Sequence, residues 1–254
     1  MELEGKVAVV TGGGQGIGEA ISLALGKAGA DVIVWEMNQD SAGKVIDAIK
    51  CLGHQAMVIP CDVSNSSEVI SATDKTVQRF KHIDILVNNA GVARLLPFVE
   101  TTDLIIDTIM NTNLKGLLYC CREVGKLMVQ RKQGKIINIA SLSAHVSSPN
   151  TVAYSASKGG VIALTRTLAV EWGPHNVNVN AVSPGIVHTP ATDGVLNFGD
   201  REKRTPLRRL QTPGDIAKAV LFLASPASDN ITGQYIIVDG GMRALNSSFV
   251  WPQK

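Results

Sequence analysis

Tyr154 and Lys158 stand four residues apart in Tyr154-Ser155-Ala156-Ser157-Lys158, a spacing that puts both side chains on one face of any helix that carries them. An ammonium then lies beside a phenol. A tyrosine with a reference pKa near ~10 is a poor base at neutral pH, and a neighbouring cation that favours the phenolate moves it toward acid/base work. The same spacing occurs on many surface helices, so the chemistry has to be argued from what accompanies it.

A second group of residues suits a nucleotide. The β-branched run ending at Val10 is followed by Thr11-Gly12-Gly13-Gly14-Gln15-Gly16-Ile17-Gly18 and then by apolar residues at helical spacing, Ile21, Leu25 and Ala28. Glycines there allow a sharp turn and let a pyrophosphate approach a helix N-terminus, where free N–H groups and the helix dipole favour anions. Three residues separate Gly12 from Gly16, which is not the spacing of the common dinucleotide fingerprint, and no Gly-Lys-Ser/Thr follows that would make a Walker loop. Glu36 closes the next strand about twenty residues on, where a carboxylate can accept both ribose hydroxyls of NAD and repel the 2′-phosphate of NADP. Gln15 and Met37 supply no compensating cation, so NAD is the expected cofactor. Asp62-Val63 and Asn88-Asn89-Ala90-Gly91 follow the third and fourth strand patterns; Asp62 could accept from the adenine amino group, although Asp and Asn in turns usually bond their own backbone.

These residues must be carried by a repeating scaffold. Runs at 6–10, 31–35, 55–59, 83–87, 135–139, 177–182 and 235–238 read as seven strands separated by amphipathic segments, such as Leu114, Leu117, Leu118, Cys121, Val124, Leu127 and Met128. The alternation predicts an α/β fold: one doubly wound parallel sheet, Rossmann-like, with helices on both faces and a single domain over 1–254. Ligands in such sheets lie outside the carboxyl ends of the strands, where the glycine loop, Glu36, Asp62 and Asn89-Ala90-Gly91 all fall. Residues 188–212 resist assignment and read as a substrate lid or a solvated loop with one helical turn, and 244–254 as a C-terminal tail.

Composition narrows the partners. Hydrophobic residues make up 45% and charged residues 18%, enough core material to exclude general disorder, and a formal charge of +2 with 4% aromatics gives no reason to invoke nucleic acid. No apolar run approaches the ~20 residues of a membrane span, and the acidic start Met1-Glu2-Leu3-Glu4 lacks the features of a signal peptide, so a cytoplasmic protein is expected. Cys51, Cys61, Cys120 and Cys121 lack paired spacing and read as small buried or half-buried side chains. The five histidines show no metal-ligand spacing, and no metal is expected.

Taken together, the glycine loop Thr11 to Gly18, Asp62, Asn88 to Gly91, Asn111-Thr112-Asn113, Asn138 to Ser141, Tyr154 to Lys158 and Ser183-Pro184-Gly185 resemble the short-chain dehydrogenase/reductase family in order and approximate spacing, from Leu3 to Arg243. The resemblance implies hydride transfer between NAD and a secondary alcohol or its ketone, with Tyr154 as acid/base and Ser141 polarising the substrate oxygen. It implies that Lys158 holds the nicotinamide ribose and lowers the tyrosine pKa, and that Asn113 kinks its helix and supports a proton relay. Gly12, Gln15, Gly16, Ile17, Gly18, Glu36, Asp62, Val63, Asn89, Ala90, Gly91, Pro184, Gly185, Val187 and Thr189 would bind the cofactor, with Ile186 beside the last of them, and the last strand would support a homotetramer or a dimer.

Two features depart from the family. His145 stands where glycine is frequent, and its imidazole could bond a polar substrate or cap the loop. Arg94, together with Arg201, Lys203, Arg204 and Arg208 in the lid, could attract an anionic substrate, or the basic lid residues could form a solvated charged helix. The expected substrate is a small polar secondary alcohol, polyol or sugar; reduction of a 3-oxoacyl thioester with NADPH is a second reading, and a dinucleotide sensor without turnover a third.

Overall fold

The computed structural model describes residues 2–189, 192 and 198–245, with backbone alone at 198–200. Seven strands, β1 (Val7–Thr11), β2 (Asp31–Trp35), β3 (Ala56–Ile59), β4 (Ile85–Asn88), β5 (Gly134–Ile139), β6 (Val177–Pro184) and β7 (Tyr235–Val238), form one parallel sheet in the order β3-β2-β1-β4-β5-β6-β7. The helices are α1 (Gly16–Lys27), α2 (Gln39–Cys51), α3 (Ser66–Phe80), α4 (Asp103–Met110), α5 (Leu117–Arg131), α6 (Val152–Trp172), α7 (Phe198–Arg204) and α8 (Pro213–Ala224).

Strand residues alternate between faces, and the sequence places apolar side chains on both. In β1, Val7 and Val9 pack on one side with Val69 and Phe80 of α3, Leu117 and Val124 of α5, and Val161 of α6. Ala8 and Val10 pack on the other with Ile21 and Leu25 of α1, Val45 and Ile49 of α2, and Ile216 and Val220 of α8. Asn38, Asn65 and Thr102 cap α2, α3 and α4 through side-chain oxygens, and Thr212 and Asp215 form a capping box on α8.

Several expectations needed adjustment. The strand bounds moved by one or two residues, and β6 runs on to Pro184, which brings the Pro184-Gly185 turn to the sheet's carboxyl edge. The 188–212 segment contains α7, and Val187 pairs with Gln211 in an isolated bridge that closes its base. Cys51, on the last turn of α2, is exposed rather than buried, because only the sheet-facing positions of that helix are covered. The C-terminal tail from 246 onward lies outside the described residues. No helix among the described residues is long and apolar enough to cross a membrane.

Candidate active site

β1 and β4 are neighbours, yet the connections leaving them run to opposite sides of the sheet, and this reversal opens a crevice at the carboxyl edge. A cavity of about 880 Å³ fills it, lined from Gly12, Glu36 and Asp62 at one end to Ser141, Tyr154, Lys158 and Thr189 at the other. Apart from Ile186, every residue expected to bind cofactor lines this cavity, as do Ser141 and Arg94.

The glycine loop owes its shape to residues far along the chain. Asn89 donates through Nδ2 to the carbonyls of Thr11 (3.1 Å) and Gly12 (2.9 Å), while the N–H groups of Asn89 and Ala90 donate to Thr11 Oγ1 at 3.0 Å each. Gly12 sits at φ +61°, and a Cβ on Gly18 would fall 2.0 Å from the Gly12 carbonyl oxygen. Gln15 precedes α1 without any side-chain cap bond, so the first N–H groups of that helix are not spent on a cap. This unspent helix start, in a cradle that admits no side chain, fits the pyrophosphate of a dinucleotide. Glu36 stands beside it, accepting from Gly14 N–H at 3.3 Å and Asn38 N–H at 3.2 Å. Asp62 accepts from the N–H (2.9 Å) and hydroxyl (2.8 Å) of Ser64, both on Oδ1.

At the other end, Tyr154 and Lys158 occupy the first turns of α6 and face the end of β5. Lys158 is buried and donates from Nζ to the Ile139 carbonyl at 2.7 Å; Nζ stands 5.9 Å from the centre of the Tyr154 ring. Burial lowers the Lys158 pKa to about 8. Burial also raises the Tyr154 pKa, opposed by a hydrogen bond with Ser141. In the protein alone, loss of water around the phenol outweighs the Ser141 hydrogen bond. Ser141 begins a short 3-10 turn (Leu142–Ala144), and its Oγ accepts from Ser143 N–H at 3.1 Å.

Asn113 and His145 do not line the cavity. Asn113 lies in a π-helical stretch (Asn111–Gly116) between α4 and α5, which accounts for the helix irregularity. Its amide clamps the loop after β4, donating to Val92 O (2.9 Å) and accepting from Val92 N–H (2.8 Å), and donates at 3.2 Å to Ser157 Oγ, which itself donates to Tyr154 O. His145 turns instead toward Ser183 and Tyr235. Arg201, Lys203 and Arg204 are exposed on α7 and do not line the cavity; the Arg208 side chain bonds the Lys203 carbonyl.

Sequence reasoning missed Val92 and Ala93, which extend the turn after β4, and Thr192, whose hydroxyl donates to Val187 O (3.0 Å) and accepts from Thr189 N–H (2.9 Å). Following the strand-end rule two residues past Gly91 would have found the first pair. No group of three or more His, Cys, Asp or Glu among the described residues is placed to hold a metal ion. Cys61 borders the cavity, but burial and the nearby Glu68 and Asp62 push its pKa to about 12, so it is not a thiolate nucleophile.

Comparison with known proteins agrees with this geometry. A family model described as enoyl-(acyl carrier protein) reductase matches residues 12–243. The chain is 38% identical over 243 residues to a 3-oxoacyl-(acyl-carrier-protein) reductase of Chlamydia pneumoniae, covering 94% of this chain and 98% of that protein. It is also 38% identical over 247 residues to the 2-dehydro-3-deoxy-D-gluconate 5-dehydrogenase of Escherichia coli K12, covering 95% and 97%. A crystal structure of a short-chain type dehydrogenase/reductase from Mycobacterium marinum superposes with a TM-score of 0.91 at 34% identity, covering 95% and 96%. With a glycine cradle, a strand-end carboxylate and a Ser-Tyr-Lys wall in one crevice, the chain belongs to the short-chain dehydrogenase/reductase family of nicotinamide-dependent oxidoreductases.

Proposed function

We propose that the protein is an NAD-dependent dehydrogenase of a small polar secondary alcohol, polyol or sugar, or a reductase of the matching ketone. The observation that carries this reading is a single cavity with Glu36 at its nucleotide end and Ser141, Tyr154 and Lys158 at its reactive end. The dinucleotide, held by the glycine loop, Glu36, Asp62, the 89–91 turn, Lys158 and the 184–189 segment, supplies the hydride acceptor or donor. In the oxidative direction the Tyr154 Oη, as phenolate, takes the substrate hydroxyl proton; in the reductive direction the neutral phenol returns it. The raised pKa of the buried phenol suits the second role directly. The Ser141 hydroxyl donates to the substrate oxygen as negative charge grows there, and the Lys158 ammonium adds a fixed positive field in a site shielded from water. Asn113 is assigned the supporting role, holding the 92 loop and the Tyr154 turn in register. Arg94, an exposed cation that borders the cavity, orients polar or anionic substrates.

Relatives named 3-oxoacyl-(acyl-carrier-protein) reductase, that of Chlamydia pneumoniae among them, support a second reading, NADPH-dependent reduction of a 3-oxoacyl thioester. Glu36 weighs against it, since it would meet the 2′-phosphate of NADPH. We further take the protein to be a cytoplasmic homotetramer, a point for analytical ultracentrifugation. Absorbance at 340 nm, followed with NAD(H) and NADP(H) over a panel of alcohols, sugar acids and acyl thioesters, separates the readings. Turnover with NAD and a polar alcohol, lost by roughly a hundredfold or more in Tyr154→Phe while NADH still binds, is the expected result. Preference for NADPH with acyl thioesters overturns the choice of substrate.

A further inference from the structure

His145 follows the turn that starts at Ser141, closing it with a bond from its N–H to Leu142 O at 2.9 Å. Its imidazole Nε2 lies 2.9 Å from Ser183 Oγ, and Ser183 is completely buried in β6, directly before the Pro184-Gly185 turn that borders the cavity. The ring is held from outside as well. It stacks on Tyr235 of β7 with centroids 4.7 Å apart and planes inclined by 26°, and the Arg166 guanidinium of α6 lies 5.3 Å from the centre of the same tyrosine ring. Partial burial and the positive charges of Arg243 and Arg166 keep the His145 pKa below its ordinary value, which favours the neutral imidazole.

We infer that His145 is a positioning residue that ties the Ser141 turn to the end of β6, fixing the separation between the substrate-polarising hydroxyl and the Pro184-Gly185 wall opposite it. This rests on the proposed role of Ser141. Ahead of the turn, Ala140 N–H donates to Val182 O of β6 at 2.8 Å, and the turn itself is closed by local bonds from Ser143, Ala144, His145 and Val146 back to Ser141 and Leu142, so the His145–Ser183 contact adds a side-chain link to β6 at the far end of the turn. The neutral ring has one donor and one acceptor nitrogen, so the side chain of glutamine, which carries both functions, is the substitution that can preserve the link.

The test uses His145→Ala, His145→Gln, Ser183→Ala and the His145→Ala/Ser183→Ala pair in the full chain. Steady-state kinetics on the best substrate, NADH binding by fluorescence, and backbone amide exchange over 141–146 and 183–187 in cofactor-free protein are measured. His145→Ala is expected to lower kcat by roughly ten- to hundredfold, as a misplacement of about 1 Å does, with KM and NADH affinity little changed. Glutamine restores most of that loss, Ser183→Ala reproduces it, and the double variant is no worse than either single one. Exchange over 141–146 accelerates in both alanine variants and stays slow with glutamine. Additive losses, a glutamine variant as impaired as alanine, or full activity in His145→Ala overturns the inference. If wild-type protein turns over nothing in the panel, the proposed reaction fails, and the exchange data still decide the tether: unchanged exchange in both alanine variants refutes it.

Discussion

Replacing Lys158 with methionine should stabilise the cofactor-free protein while abolishing turnover. Burial takes the lysine pKa from 10.5 to about 8, so the unfolded chain holds this proton more tightly than the folded one across that interval. The gap corresponds to a folding penalty of about 3 kcal/mol, present in full below about pH 8 and fading as pH rises to about 10.5. Methionine removes the charge at similar length, but it also strips the Ile139 carbonyl of its 2.7 Å partner. That loss costs about 1–2 kcal/mol, leaving a net gain of roughly 1–2 kcal/mol near neutral pH. In a chain of this size the gain is a rise of roughly 2–8 °C in Tm. Differential scanning calorimetry without cofactor, at pH 7 and again at pH 10, checks both magnitude and sign. The advantage of the variant should shrink or reverse at the higher pH, where the wild-type amine is largely neutral. A variant less stable than wild type at pH 7, or an advantage independent of pH, would refute the reasoning that burial of charge, and not the bond to Ile139, dominates the energetics of this lysine.

Other substitutions test separate parts of the molecule. Glu36→Ser should reduce the preference for NAD over NADP by about tenfold or more in the ratio of kcat/KM values, because a carboxylate juxtaposed with a 2′-phosphate costs several kcal/mol; an unchanged ratio would remove Glu36 from cofactor selection. Asp84→Asn should destabilise the fold by roughly 2–4 kcal/mol in urea denaturation with kcat unaltered, since the buried carboxylate accepts from Val7 N–H at 2.9 Å, His82 Nε2 at 3.0 Å and Arg131 at 3.2 Å, and an amide presents only one acceptor oxygen to them. A loss below measurement error would mean that the cluster contributes nothing.

The parallel sheet was legible because its strands are short, β-branched and buried on both faces, so that each stands out against the helical spacing between them. The cavity lining was legible for a related reason. Residues immediately after a parallel strand have no further ladder to join and must turn at the carboxyl edge, so Glu36, Asp62 and Asn89 are placed by counting. Side-chain direction was another matter. Nothing local to His145 indicates Ser183, thirty-eight residues away, and nothing local to Asn113 indicates Val92 or Ser157. The effect of burial on Tyr154 was equally illegible, since spacing reports the nearness of a charge and is silent about the water removed around it. Within 188–212 the run of charges was readable as a solvated helix, and α7 is one, but without an apolar period its bounds could not be placed.

The glycine loop looks like a local motif, yet its conformation is settled by Asn89 and Ala90, 77 to 79 residues downstream. Its carbonyls are oriented only after the β1–β4 pairing has closed that long chain segment, an entropic cost that belongs late in assembly. A chain growing from its N-terminus carries all the glycines long before it can hold a dinucleotide. Cofactor capture during refolding should therefore lag behind helix formation and serve as a clock for completion of the central sheet.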